Sequence, residues 1–402
     1  MAVGPATFPD MPVIEGVRIG VASAGIKTPG RRDLVVFELC EGAQVAGTFT
    51  RNAFCAAPVI LAKRHMAAGA SRYWLINTGN ANAGTGEQGM RAAEACCDAL
   101  ADKAGVAPEQ VLPYSTGVIG EPLPTPRIIG ALDDALASLS ADQWKAGAQG
   151  ILTTDTRPKG ATRTVMIQGQ PVHINGIAKG SGMICPNMAT MLAYVATDAK
   201  IEPALVQSLL SETVEHSFNR ITVDSDTSTN DACMLAATGK AAEVAAPEDV
   251  ASFKQALQEV MLEIAQGVIR DGEGATKFVS VSVREARNEA EALKVAYSIA
   301  HSPLVKTALF ACDANWGRLL MAVGKADVAE FDVAKVTLSL NGVCIAEHGA
   351  RASGYTEEAG SRAMAEEEIN IDIALGRGQV DTCVWTSDLS HEYVTINAEY
   401  RT

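Results

Sequence analysis

Val250, Phe253, Leu257, Val260, Ile264 and Val268 recur every three or four residues, so the segment that carries them forms one amphipathic helix with a continuous apolar stripe. Pro247 precedes the stripe and Gly272 follows it, residue types suited to opening and closing a helix. A stripe of that length must be covered by other layers, and the rest of the chain offers strands. DLVVFELC (33–40) and YWLIN (73–77) read as buried strands, and RTVMIQGQPVHIN (163–175) reads as a hairpin with Gly169 and Pro171 marking its turn. KFVSVSV (277–283) and KVTLSL (335–340) follow, the latter closed by Asn341-Gly342, a favoured hairpin turn. Further strands are expected at 382–386 and 393–397. Helices are expected at 88–103, at 205–218, and after the prolines at 122, 124 and 126, where Ile128, Leu132, Leu136 and Leu139 keep helical spacing. Hairpin strands among amphipathic helices predict an α+β fold of mixed layers rather than a purely parallel sheet.

At 402 residues the chain can bury a large core in two domains or two large lobes. Its 33 basic and 47 acidic residues give a net charge of −14, which argues against nucleic acid or an anionic membrane as a main partner. No apolar run approaches the roughly 20 residues of a membrane span. The N-terminal MAVGPATFPDMP lacks the basic and apolar regions of a signal peptide. Nine scattered cysteines without C-x-x-C spacing suggest neither a disulfide framework nor a zinc site. Reduced, mostly buried cysteines in a cytoplasmic protein are the expectation.

Gly84-Thr85-Gly86-Glu87-Gln88-Gly89 matches G-x-G-x-x-G between a strand and a helix. Thr78 to Ala83 separate that strand from the first glycine, too long for the usual tight turn. The strand-like segment near Val111-Leu112 carries no acidic residue at its end for a ribose hydroxyl. The preferred reading is a Gly/Asn-rich loop that caps a helix. No G-x-S-x-G elbow, H-E-x-x-H or Walker loop is present, and the six histidines are isolated.

Residues 179–192, KGSGMICPNMATML, pass from glycines and a proline straight into an apolar run at Thr190. Two readings compete. Thr190 either opens a strand, or the chain is cut after Ala189 and leaves Thr190 as a new N-terminus. A threonine hydroxyl needs a base, and its own α-amine is a recognised one once the preceding peptide bond is broken. That amine has a pKa of about 7.7–8.0, so a useful fraction is neutral near pH 7. Gly180, Gly182 and Pro186 are suited to the backbone bend that such a cut requires. Cys185 competes as the better intrinsic nucleophile, with a buried inert thiol as its plain alternative.

KGSGMICPNMATMLAYVATDA resembles the cleavage-site segment of the ornithine acetyltransferase family, the glutamate N-acetyltransferases of arginine biosynthesis. The resemblance covers nearly the whole chain. It includes NTGNANAGTGEQG (77–89), STGVIGEPLP (115–124), ILTTDT (151–156), FNRITVDSDTSTND (218–231), RDGEGATKF (270–278), DANWGR (313–318) and the terminal NAEYRT. It implies a layered α/β sandwich of the self-cleaving ornithine acetyltransferase and aminopeptidase type, with a mechanism like that of N-terminal-nucleophile enzymes.

By the same resemblance, Thr190 is the nucleophile and the Ala189–Thr190 bond is cleaved by the chain itself. Thr116 and Gly117 match the oxyanion-hole pair, while Thr153, Lys179, Thr190, Glu273, Asn397 and Thr402 match substrate-binding positions. The mature protein is expected as fragments 1–189 and 190–402, two of each in a heterotetramer, without metal or prosthetic group. The implied reaction is ping-pong transfer of acetyl from N2-acetylornithine to glutamate. Acetyl-coenzyme A is left open as a second donor. Two rivals stand beside it: a self-cleaving aminopeptidase or amide hydrolase of the same architecture, and a non-catalytic nucleotide-binding protein built on the 84–89 loop. Asp226, Asn230, Asp231, Asn315 and Arg318 receive no role.

Overall fold

A computed structural model describes residues 2–5, 7–69, 71–185 and 191–399. Ala189, Thr190 and Thr402 lie outside them. The chain divides into two compact units. One comprises 7–219 and 227–268; the other comprises 1–6, 220–226 and 269–402. These units are a spatial division, distinct from the covalent one expected at 189/190.

The first unit holds two sheets. The four-stranded sheet has the order β1 (Val17–Ala22), β2 (Leu34–Leu39), β4 (Tyr73–Asn80), β5 (Val111–Val118); only the β4–β5 pair is parallel. The five-stranded sheet has the order β3 (Gln44–Phe49), β10 (Ala232–Ala237), β8 (Leu192–Thr197), β7 (Gln170–Lys179), β6 (Lys159–Ile167), with β10 and β8 parallel. Within this sheet the two strands from after residue 190, β10 and β8, lie side by side between β3 and β7, which come from before it.

An aromatic cluster joins the two sheets. Tyr194 packs on Phe37, Trp74 and Tyr114 with ring centroids 5.3, 5.6 and 5.3 Å away. All four rings are buried, and burial of this kind is the dominant favourable contribution to the fold. The outer face of the four-stranded sheet is covered by α1 (Ala57–Ala68), α2 (Gly86–Ala104), α3 (Thr125–Gly130) and α4 (Leu132–Ala137). The single helix expected from Ile128 to Leu139 is thus two short ones meeting at Ala131. α5 (Trp144–Gly150) contributes Trp144 and Ala148 to the inter-sheet core. α6 (Pro203–Glu215) packs on β3 and β10.

α7 (Pro247–Arg270) matches the predicted stripe: Phe253, Leu257, Val260, Ile264 and Val268 are buried. A Cβ added at Gly176 of β7 would lie 2.9 Å from Val260, so the glycine lets the helix approach the sheet closely. The 163–175 hairpin exists, but its turn is Gln168-Gly169, both at positive φ. Pro171 lies inside β7, paired with Met166, rather than in the turn.

The second unit is built on a seven-stranded mixed sheet. Its order is β14 (Ala350–Arg351), β13 (Val343–Glu347), β12 (Thr337–Leu340), β15 (Glu368–Ala374), β11 (Phe278–Ala286), β16 (Val380–Ser387), β9 (Ile221–Thr222). α8 (Glu289–Ala300), α9 (Pro303–Phe310), α10 (Trp316–Gly324) and α11 (Glu357–Ala365) share one apolar core with it. Asn341-Gly342 makes the expected β12–β13 turn, with both residues at positive φ.

The strand expected at 393–397 is instead α12 (His391–Ala398). Its β-branched Val394, Thr395 and Ile396 suggest a strand, but Val394 and Thr395 are exposed and find no sheet partner. Helical spacing puts Tyr393 and Asn397 on one face, four residues apart. The layered α+β fold is as expected. Among the described residues no helix is long and apolar enough to cross a membrane.

Candidate active site

Ser115, Thr116 and Gly117 form the C-terminal end of buried strand β5, rather than the turn that Ser-Thr-Gly suggests when read alone. Register places Thr78 beside Thr116 and Gly79 beside Gly117, and the pairing becomes irregular at Asn80. Gly117 has φ +136°, and an added Cβ would sit 2.3 Å from the Gly79 carbonyl carbon. Only glycine fits this backbone.

Side-chain amides then lock the strand ends. Ser115 Oγ donates to Asn77 Oδ1 (2.6 Å), and Asn77 Nδ2 donates to the Asn80 carbonyl (2.9 Å). Asn230 Nδ2 donates to the carbonyls of Ala81 (2.6 Å) and Ser115 (2.9 Å). Thr116 is buried, 8% exposed.

The same asparagine-rich segment explains the glycine motif. Asn82 Nδ2 donates to the Gly89 carbonyl (2.9 Å), and Asn82 Oδ1 accepts from Thr85 Oγ1 (2.8 Å). A Cβ at Gly89 would lie 1.9 Å from Thr85 Oγ1. The loop closes on itself at the start of α2, in line with the structural reading.

Asn230 and Asp231 lie immediately before β10. The Ala232 N–H donates to the Met191 carbonyl (3.0 Å), so this one segment touches both the residue before Thr116 and the residue after Thr190. Asp231 is buried, and among the described residues its Oδ2 has no hydrogen-bond partner. Burial pushes its carboxyl well up, against a hydrogen bond from Ser228 and the nearby Lys179 charge.

A second carboxylate behaves oppositely. The Asp155 side chain is wholly buried beside Lys159, at 2.5 Å. Burial alone would raise it, but the charges of Lys159 and Lys179 and bonds from Lys159 and the Thr153 N–H hold it well below the usual carboxylate range. Its Oδ1 also accepts the Gly180 N–H at 2.7 Å, and its Oδ2 the Thr153 N–H at 2.9 Å. Thr153 and the Lys179–Gly180 segment are thereby brought together. Lys179 is half-buried at the end of β7, paired with Leu192.

In the other unit, Glu273 is 8% exposed rather than an open turn residue. Gly274 (φ +67°) lets the turn close onto α12, since its Cβ would lie 2.6 Å from both Ser390 Oγ and the Tyr393 nitrogen. Asn397 Nδ2 donates to Glu273 Oε2 (2.7 Å), and the Tyr393 hydroxyl donates to Asp224 Oδ2 (3.1 Å). Burial raises the Tyr393 hydroxyl well above its ordinary value, helped by Asp224, Glu273 and Asp226. This cluster is anionic and suits a cation.

Cys185 is buried. The nine cysteines are all free; four are buried, four half-buried, and Cys312 is exposed. Among the described residues no group of His, Cys, Asp or Glu could hold a metal ion. Sequence reasoning passed over Asp155, Asp224 and Tyr393 and gave no role to Asn230 and Asp231, although most lie inside segments quoted for their resemblance.

Comparison with known proteins adds the family. Residues 18–402 match the model of the ArgJ family. The chain is 57% identical over its whole length to the arginine biosynthesis bifunctional protein ArgJ of Pseudomonas syringae pv. tomato, covering 100% of both chains. It is 58% identical to the protein of that name from Pseudomonas fluorescens, again covering 100% of each. Among solved structures, ArgJ from Bacillus halodurans is 37% identical over 50% of this chain and 95% of that one, with a TM-score of 0.48. An ornithine acetyltransferase from Mycobacterium tuberculosis, complexed with ornithine, is 29% identical over 45% of this chain and 98% of that one, with a TM-score of 0.42. With its family model spanning all but the first residues, and relatives this similar end to end, the chain belongs to the ArgJ family.

Proposed function

We propose that this enzyme of the ArgJ family moves acetyl from N2-acetylornithine to glutamate through an acetyl-threonine intermediate on Thr190, after the chain cuts itself between Ala189 and Thr190. The supporting observation is the segment Asn230–Ala232. It binds the carbonyl before Thr116 with one residue and the carbonyl after Thr190 with another.

In the first half-reaction the Thr190 oxygen attacks the acetyl carbonyl, and its proton passes to the freed α-amine. Thr116 Oγ and the Gly117 N–H stabilise the oxyanion, a contribution worth roughly 3–4 kcal/mol per donor in comparable sites. The amide C–N bond breaks, and the proton returns from the α-amine to the leaving ornithine nitrogen. In the second, the glutamate amine attacks the acetyl ester, its C–O bond breaks, and Thr190 regains its proton. Lys179, with Thr153, is assigned to the α-carboxylate that both substrates carry. Glu273, with Asn397, is assigned to the side-chain ammonium of ornithine, and Thr402 to the same binding site. Cytoplasmic location and a heterotetramer of two fragments of each kind belong to this reading. Acetyl-coenzyme A as a second donor is tested by supplying each donor alone.

Intact mass should show polypeptides 1–189 and 190–402, and Thr190→Ala should give one uncut, inactive chain. Retained transfer in Thr190→Ala, with loss in Cys185→Ala, would move the nucleophile to the cysteine. Release of free acetate in place of acetylglutamate would favour the hydrolase.

A further inference from the structure

We infer that Asp155 is a positioning residue for the amino-acid substrates: a single carboxylate fixes, relative to each other, the two segments that carry Thr153 and Lys179. The inference rests on the binding roles proposed above and extends them to a residue outside that set.

Asp155 accepts four bonds. Oδ1 takes the Lys159 ammonium (2.5 Å) and the Gly180 N–H (2.7 Å); Oδ2 takes the Thr153 N–H (2.9 Å) and, more weakly, its hydroxyl (3.4 Å). Two of these are backbone donors, Thr153 and Gly180, 27 residues apart in sequence, a job that an apolar side chain cannot do. A second stitch joins the same segments, Thr154 Oγ1 to Ser181 Oγ at 2.7 Å. From the other side Arg31 holds the carbonyls of Leu152 (2.6 Å) and Thr153 (3.2 Å).

A buried ion pair is by itself weak evidence for stability, since well-packed apolar residues often serve as well. The direction of the bonds is what matters here. The ion pair with Lys159 balances the carboxylate, which then acts as an acceptor that orients the backbone around Thr153 and Gly180. An α-carboxylate arriving between these segments meets donors already in place, and both substrates carry that group. Asp155 should therefore govern the affinity for both alike.

The test is steady-state kinetics on the mature enzyme. Asp155→Asn turns one acceptor oxygen into a donor facing an N–H; KM for N-acetylornithine and for glutamate should each rise about 10-fold or more, with kcat within about threefold. The double variant Asp155→Asn/Lys159→Met removes both charges and should recover Tm while KM stays high. If the pair serves stability alone, KM recovers together with Tm, and the inference fails. Thr154→Val, which removes only the second stitch, should raise both KM values about threefold, and it decides the matter if the Asp155 variants do not fold. Wild-type KM values in the variants that fold overturn the positioning role. A wild type that transfers no acetyl from N-acetylornithine to glutamate overturns instead the function on which it rests.

Discussion

Asn230→Ala is the most exacting perturbation of the site that leaves every proposed reacting group in place. The side chain is 6% exposed and donates to two carbonyls, at 2.6 Å and 2.9 Å. Truncation leaves both oxygens short of a donor in a region closed to water, at about 1–3 kcal/mol each. The sum is roughly 2–5 kcal/mol, since each carbonyl has a second lone pair for other partners. For a unit of this size that corresponds to a fall in Tm of roughly 5–15 °C. The catalytic effect follows from geometry: Ser115 loses its tie to the strand that holds Met191, and a misplacement of about 1 Å between reacting groups costs about 100-fold in kcat. Asn230→Asp separates shape from donor capacity. It keeps the acceptor for Thr229 Oγ1 (2.6 Å) but presents oxygen to both carbonyls, so it should be at least as damaging as alanine. Thermal unfolding and kcat for acetyl transfer, measured on both variants, check this. An aspartate variant matching wild type in both would refute the tie. A lower Tm with unchanged kcat would refute its role in placing the oxyanion donors.

Gly117→Ala should lower kcat about 100- to 1000-fold, because its Cβ would force the strand end away from Gly79; kcat within about threefold of wild type, with both substrates saturating, would remove the Gly117 N–H from the oxyanion hole. Glu273→Gln should raise KM for N-acetylornithine about 10-fold and leave that for glutamate nearly unchanged, and equal rises would contradict the ammonium assignment. Lys306 is buried, and burial lowers its ammonium to about 8 despite Asp388 and Asp224. Above that pH the folded protein releases a proton that the unfolded chain keeps up to about 10.4, so this residue makes stability rise from pH 8 to 10 by up to roughly 3 kcal/mol. Denaturant titrations across that range should show the rise in wild type and a smaller one in Lys306→Met. Identical profiles would mean that Lys306 is not the source.

The parts legible in the sequence are those whose physics is local. The α7 stripe repeats at helical spacing, and five of its six residues are buried where the period says. Asn341-Gly342 makes its turn because both residues tolerate positive φ. Residues 393–397 fail for the complementary reason. Their β-branched composition is a weak preference, and tertiary contacts of Tyr393 with Asp224 and of Asn397 with Glu273 favour the helix. Ser-Thr-Gly has turn chemistry, yet it ends a buried strand because Gly79 and Gly117 lie side by side without Cβ atoms.

What stayed illegible is the set of groups that place others. Asp155 and Asn230 carry no motif of their own. Each acts through backbone atoms far away in sequence, Asp155 on Gly180 and Asn230 on Ala81 and Ser115. A residue that binds substrate needs a particular chemistry, which a sequence displays. A residue that binds backbone needs only an amide or carboxylate in the right place, and many polar residues of the chain offer that. The opposed states of the two buried acids make the point sharply. Lys159 and Lys179 hold Asp155 toward its charged form, while Asp231, buried and with one oxygen unpartnered among the described residues, is driven toward the neutral form. Both are aspartates near Lys179, and only the fold distinguishes the acceptor that orders a backbone from the acid that burial pushes toward its neutral form.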